Sequence, residues 1–430
     1  MIIGSVNSLP IDVQFSDSPA LDSFQRLRVS QATTLFDAQQ EYGLDTLRTW
    51  DASANGTIAT ESTNGSATSG SNAIGPTVQN TGMTPVTVST TNGHYSILQS
   101  RQYTRYVPGF GQLIFQTGVF ASGSGWTTAL VHRTSTSGSV VDTAVAQSAW
   151  SIDKFDGTGP SGLILDLTKT QILFTQAQWL GVGRVVMGFG IGGRLYPAHQ
   201  FRHANILTVP YTQTFNLPVR YELINTTASE SKSRVGYFDS ASGFFLETTR
   251  AVAGGSIQMI CASVQTEGGT SLRGFPNSAS NGVTSIGVTT RRPILSIRPK
   301  ATYNSRTNRG HIEFETLELT AATNSAYYEL VVGGTLTNAS FAQVSAESIA
   351  ERDVAATAIT GGTTIISGFV TAGAGSVRGG STDSVDFRNP MVISQIDAAA
   401  ARQIPFTVVC TSFTGTSNLA ASMDWHERII

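Results

Sequence analysis

Two histidines, His199 and His203, stand four residues apart, the spacing that puts a pair of imidazoles on one face of a helix as metal ligands. Their neighbours deny them that helix. Phe201 lies between them and a glycine-centred hairpin precedes them, so the segment reads as a strand or turn and both histidines read as structural. Glu222 and Glu230 could be taken for the acid and base of a sugar-cleaving enzyme. No aromatic-rich sugar cleft accompanies them, and a structural reading ranks above the catalytic one. Asp153 and Asp156, with Gly157-Thr158-Gly159, hold the oxygens of a calcium loop without its regular D-x-D-x-D-G order, and read as Asx turns. Gly188-Phe189-Gly190 links two strands rather than a strand and a helix, so it offers no phosphate cradle. Cys261 and Cys410 match no C-x-x-C spacing and are expected to be buried thiols. Asn55, Asn225 and Asn338 fit the glycosylation pattern, which is silent without secretion. No nucleophile elbow is present. The expectation is a protein with no catalytic residue, no cofactor and no metal, and not an enzyme.

The informative charges are those that interrupt apolar strands: Arg101, Arg105, Arg184, Arg194, Arg220, Glu222, Arg291, Arg292, Arg298 and Lys300. A buried Arg or Glu is tolerated mainly when paired. In a symmetric assembly, mid-strand Arg residues also serve subunit contacts, and Arg184, Arg220, Glu222 and Arg298 are the candidates here. An exposed strand face accounts for them equally well, and both readings stay open.

The elements that would position these residues are strands. Gln112–Phe120, Leu163–Leu167, Val219–Ile224, Ile257–Val264, Ile294–Ile297, Tyr327–Val332, Thr364–Val370 and Phe406–Thr411 are short β-rich runs bounded by turn residues. Val182–Phe189 and Arg194–His199 form a hairpin about Gly190–Gly193. His311–Leu319 alternates most cleanly, burying Ile312, Phe314 and either Leu317 or Leu319 according to a bulge. One helix is predicted, Phe341–Asp353, from Ala and Glu at helical spacing. Strands at this spacing predict a mainly β chain of antiparallel sandwich or jelly-roll type.

Composition agrees. Charged residues are 13% of the 430, about half the usual share, and long solvent-facing helices need more. The 43 glycines and many threonines suit strands and tight turns. A net charge of −2 with no basic excess argues against nucleic-acid binding. The start carries no secretory pattern and no apolar run is long enough to span a bilayer, so we expect synthesis in a cytoplasm and no membrane insertion.

Residues 1–51 concentrate charge and aromatic anchors without a period of 2 or 3.6, and read as an extended docking arm. Residues 52–92 are Ser, Thr, Asn and Gly with hardly a charge, and read as a linker. Residues 93–320 are expected to form the main β-sandwich, with 321–430 a C-terminal β region packed on it. The arm would dock through Phe24, Arg26, Leu27, Arg28, Leu35, Phe36 and Trp50.

Asp22-Ser23-Phe24-Gln25-Arg26-Leu27-Arg28-Val29-Ser30, followed by Thr34-Leu35-Phe36-Asp37, resembles the opening of a family of virion structural proteins from tailed bacteriophages, with Gln25 where that family usually has Gly. Gln99-Ser100-Arg101 with Tyr103, Tyr106 and Pro108-Gly109 is similar to the same family, as are Gly181–Val185 with Gly188-Phe189, His199–Asn205, Asn216–Glu222, Glu267-Gly268-Gly269 and Arg292–Arg298. Together they span roughly residues 20–320. The resemblance implies a component of a virion and supplies no catalytic residue; it leaves tail, baseplate and fibre open against head decoration or head fibre. Such a subunit would associate with itself, a trimer being favoured, and with other virion structural proteins. A third reading is a tailspike that binds a host surface glycan or degrades it. Its glycan site would be sought among Trp126, Trp150 and Trp179, but a degrading tailspike usually shows the repeating rungs of a parallel β-helix, which this sequence lacks.

Overall fold

The computed structural model describes residues 32–40, 49–55, 73–74, 82–267, 274–282, 285–372, 382–393, 396–398 and 400–428; in 50–55, 73–74, 307, 382–393, 396–398 and 400–402 it describes the backbone only. The described chain is strands joined by turns and loops, its one helix being the single 3-10 turn Gln147–Ala149. The strands of the first half are β1 (Ala32–Gln39), β2 (Thr49–Asn55), β3 (Ala73–Ile74), β4 (Thr84–Val88), β5 (His94–Ser100), β6 (Gln112–Val119), β7 (Trp126–Thr134), β8 (Val141–Ala146), β9 (Gln171–Ala177), β10 (Val185–Ile191), β11 (Arg194–Phe201), β12 (Val219–Thr227), β13 (Glu230–Phe238), β14 (Gly243–Arg250) and β15 (Gly255–Glu267). They form two antiparallel sheets, ordered β11-β10-β9-β6-β15-β4-β3, with β1 also on β15, and β2-β5-β12-β13-β14-β7-β8. Their facing sides share one core. Val185, Met187 and Phe189 of β10 and Ile257, Met259 and Val264 of β15 join Val219, Tyr221 and Leu223 of β12 and Phe244 and Leu246 of β14. Period-2 alternation in both sheets is what makes this two-layer burial possible.

The second half repeats the plan with β16 (Phe275–Ser280), β17 (Ile286–Val288), β18 (Arg292–Pro299), β19 (Thr302–Tyr303), β20 (Arg306–Thr307), β21 (His311–Ala321), β22 (Ala326–Val332), β23 (Thr335–Thr337), β24 (Ala342–Gln343), β25 (Ala350–Asp353), β26 (Ala358–Thr360), β27 (Thr363–Val370), β28 (Thr382–Ile393), β29 (Ile396–Ala398), β30 (Ala400–Arg402), β31 (Phe406–Ser412) and β32 (Ser417–Arg428). One sheet runs β16-β32-β21-β28 with β17 on β32, and the other β24-β25-β18-β31-β22-β27. Their core contains Ile312, Phe314, Leu317 and Leu319 of β21, Met423 and Trp425 of β32, Ile294 and Ile297 of β18 and Val408 of β31. Phe314 stacks on Phe406 at 4.1 Å. The protein is thus a mainly β chain of antiparallel sandwiches, as its sequence predicts. The apolar clusters change over between Val264 and Ala279, so the expected boundary at 320 falls at the end of β21, within the second core.

Several local expectations are corrected. Phe341–Asp353 is not a helix but β24, a turn and β25. Asp353 ties the backbone N–H groups of Ser340, Ala355 and Ala356, while β25 is held as a strand by pairing with β18, which overrides the helical propensity of Ala and Glu. Leu163–Leu167 is a loop: Gly157 N–H bonds the Leu163 carbonyl, Leu165 N–H the Phe155 carbonyl, and the Leu167 carbonyl accepts from Phe120 and Ala121 just past β6, so the segment closes on a turn and a strand end instead of joining a sheet as a strand. Within the stretch read as linker, Thr84–Val88 is a strand on β15 that puts Val86 and Val88 in the core. Within the stretch read as arm, β1 runs antiparallel to β15 and β2 to β5. The β10–β11 hairpin appears with Gly192 and Gly193 both at positive φ (59° and 79°), the two-residue turn that suits strand twist. In β21 a bulge between Phe314 and Thr316 resets the alternation, so Leu317 and Leu319 are both buried.

Candidate functional site

On β12 the residues Val219, Tyr221 and Leu223 face the core, which turns Arg220 and Glu222 to the opposite side of the sheet. Register builds the rest. Glu222 lies opposite Arg234 of β13, which lies opposite Glu247 of β14. Arg220 lies opposite Gly236, and Gly236 opposite Phe245. A Cβ on Gly236 would come within 2.2 Å of the Phe244 carbonyl oxygen, so only glycine fits there. At the sheet's far edge Arg133 of β7 faces Asp142 of β8.

These side chains form one network. Arg220 donates from Nε (3.0 Å) and Nη2 (2.6 Å) to Glu222 Oε2. Arg234 Nη1 donates to Glu222 Oε1 and its Nε to Glu247 Oε2, both at 2.8 Å. Lys232 Nζ reaches Glu247 Oε1 at 2.8 Å. Arg133 makes a two-pronged contact with Asp142, 2.8 Å on each side. The guanidinium groups lie over rings: Arg220 over Phe238 at 5.4 Å, Arg234 over Phe245 at 5.7 Å, and Arg133 over both, at 5.7 and 5.1 Å. Arg220 and Glu222 are only 5% and 4% exposed, which makes complete pairing a requirement of folding.

The network's electrostatics suit scaffolding. Burial pushes the Glu222 carboxyl up, but Arg220, Arg234 and Arg133 outweigh it and hold the group down at about 2. A general acid needs the opposite shift. Glu230 is not brought to it. Four residues along β13 separate Glu230 from Arg234, the residue opposite Glu222, a distance of roughly 13 Å by strand rise, and Glu230 is hydrogen-bonded by Thr226 instead.

The other sequence candidates scatter. Arg184, just before β10, donates to Gln200 Oε1 at 3.5 Å. Arg298, in the second sandwich, pairs with Glu351 at 2.9 Å and covers the Phe341 ring at 3.7 Å. Of the four candidate subunit contacts, only Arg220 and Glu222 come together. Of the arm residues, Phe36 is in the core and Leu35 packs against it, where the arm reading had them docking elsewhere; pairing with β15 directs Phe36 inward. Trp50 lies in β2, its backbone opposite Gln99. Phe24, Arg26, Leu27 and Arg28 lie outside the described residues. Trp150 is a core residue, 3% exposed, and the indole N–H groups of Trp126 and Trp179 are taken by the Ser122 carbonyl and Thr212.

His203 hydrogen-bonds the Gly183 carbonyl at 2.8 Å and stacks on Tyr211 at 3.8 Å, while His199 accepts from Ser151 N–H at 3.1 Å. Beside them sits His132, stacked on Phe244, which neither spacing nor neighbours had marked. Burial, and then His203, push its imidazole down to about 4. Among the described residues no three His, Cys, Asp or Glu side chains converge as a metal cage. Asp153 and Asp156 accept from Phe155 N–H and Thr158 N–H, both at 2.9 Å, the Asx turns expected of that loop. Sequence reasoning also missed Arg133, Arg234 and Glu247. The signal was present in the alternation of Lys232 and Arg234 with Ser231, Ser233 and Val235, but their partners depend on register.

No protein-family model matches this chain, and no curated protein matches it. Among solved structures, one match is the N-terminal CBM22-1-CBM22-2 tandem domain of Paenibacillus barcinonensis Xyn10C, covering 93% of this chain and 98% of that one at 8% identity. Its TM-score of 0.19 is too low to bear on fold or ligand.

Proposed function

We propose that this chain is a structural subunit of a tailed phage particle: a self-associating β-rich component of the tail, baseplate or fibre apparatus, joined to the particle through its N-terminal segment. The observation that carries the reading is the place of the segments that bear the resemblance. Val185 and Phe189, Tyr103 and Tyr106, Val219 and Tyr221, and Ile294, Leu295 and Ile297 are all buried, and Arg220 and Glu222 form the centre of the ion network. Among the described residues, these parts of the recognisable segments build the sandwiches rather than line a cleft. The partners are other copies of the chain, a trimer being favoured, and other virion structural proteins, met during assembly in the host cytoplasm. A position on the head, as decoration or fibre, is the alternative.

The test uses truncation. Deleting residues 1–31 removes none of the described strands and should leave the β signal in circular dichroism unchanged while abolishing incorporation into particles. Incorporation of this variant at the normal level would remove the docking role of Phe24, Arg26, Leu27 and Arg28.

A further inference from the structure

Several free sheet edges among the described residues are guarded against pairing. β11 carries Arg194 and Pro197, β24 is two residues long, and β8 holds Asp142 tied to Arg133. β27 carries none of these guards. It ends the sheet order β24-β25-β18-β31-β22-β27 and pairs on its inner side with β22, from Ala326 opposite Val370 to Val332 opposite Thr363. Among the described residues no strand takes its outer side. Its sequence, Thr-Thr-Ile-Ile-Ser-Gly-Phe-Val, has no charge and no proline. A bulge at Ile365 skews the start and leaves Ile366–Val370 regular.

An aromatic patch adjoins this edge. Phe369 is 63% exposed and Phe413 55% exposed, the rings 5.7 Å apart, and Tyr327 lies 5.6 Å from Phe369 on the other side. On the inner face, Gly368 sits over Tyr328, where a Cβ would come within 2.6 Å of the hydroxyl, so the strand cannot roll to hide Phe369 without losing that contact.

We infer that the outer edge of β27, with Phe369 and Phe413, is a contact surface for a second copy of this chain, which adds a strand to it. Among the described residues that edge presents an unpaired row of backbone N–H and C=O groups at strand pitch, and another strand would answer them along its length. Because the segment is uncharged, a like segment approaches without repulsion, and the two phenyl rings supply the apolar anchor such contacts concentrate on. A glycan would use the rings but not the backbone row. The inference rests on the self-association in the proposed function and names its surface.

The test measures mass by size exclusion with light scattering on the full chain at micromolar concentration, beside Phe369→Lys/Phe413→Ser and, separately, Ser367→Lys. Ser367 is exposed on the same edge, so its replacement removes no packing and covers the case in which the double variant fails to fold. The expected result is an oligomeric parent and variants with unchanged circular dichroism whose association is weakened on the order of tenfold or more. An oligomeric parent with Ser367→Lys of equal mass and equal dilution behaviour overturns the β27 contact and leaves self-association standing. A monomeric parent removes both. Variants that keep their mass but lose binding to capsular polysaccharide would make the patch a glycan platform and overturn the inference.

Discussion

Glu222 is the residue on which most of the first sandwich's buried charge depends. Replacing it with Gln leaves Arg220 and Arg234 buried against a neutral amide, and we predict a loss of about 3–5 kcal/mol in urea unfolding. The double replacement Arg220→Met/Glu222→Leu should cost less than Glu222→Gln, because it removes one of the two stranded charges and leaves Arg234 its pairing with Glu247. If the single change is nearly silent, the network is not required for folding. A second residue-scale prediction concerns acid. His132 and His311 are both held down to about 4, His132 by burial and then by His203, His311 by burial and then by Arg105 and Arg428 despite a hydrogen bond to the Tyr103 backbone. Below the ordinary value of 6.5 the unfolded chain binds protons that the folded chain refuses. Stability is therefore complete above pH 6.5 and falls as pH drops toward 4, by on the order of 3 kcal/mol for each histidine. Thermal melts from pH 7.5 to 4 should show this fall, and His132→Phe should flatten it; a melting temperature constant across that window would contradict the assignment. Arg220 and Glu222 could be picked out of the sequence because charges interrupting an apolar strand are visible there. Their partners could not, since Arg234 and Glu247 reach them through cross-strand register, which local pattern does not encode.

At the scale of elements, glycine decides where strands approach. Gly236 sits between Arg220 and Phe245 with no room for a side chain, and Gly188 is pressed by the Tyr196 carbonyl oxygen, 2.1 Å from where its Cβ would be. Gly236→Ala should destabilise by a few kcal/mol, on the order of an overpacked core, and weaken the Arg220 contact with Phe238. Gly282→Ala, at an open turn with φ +85°, should cost only the backbone strain of a positive φ. Chemical denaturation of both variants checks the contrast, and equal costs would refute the packing account. Strands such as β6, β12, β15 and β21 were legible, because period-2 alternation or a β-rich run survives where one face is buried; β7, β9, β13, β14 and β32 were not marked. The errors share a cause. Phe341–Asp353 has helical propensity but is captured by β18 and by Asp353, and Leu163–Leu167 has strand composition but bonds its own loop. In each, hydrogen bonds fixed by tertiary placement outweighed a local preference of a few tenths of a kcal/mol per residue.

At the level of the whole molecule, an ion pair joins the two sandwiches. Arg309, just before β21, donates to Asp239 in the β13–β14 turn at 2.7 Å, the carboxylate being fully buried. Arg309→Ala should leave each core intact while loosening the joint, seen as two separated transitions in calorimetry where the parent shows them merged; a single unshifted transition would count against the joint. A mainly β architecture was legible from composition and strand spacing; the change from one core to the other between Val264 and Ala279 was not. The joint was not, because Asp239 and Arg309 are distant in sequence and ordinary in type. Whether this chain is part of a phage particle is decided by quantitative mass spectrometry of gradient-purified particles. The chain is expected in fixed stoichiometry to a known virion protein, in a multiple of the particle's symmetry and unchanged by high-salt washing. Its absence from washed particles, with the protein recovered only free in the lysate, would contradict it.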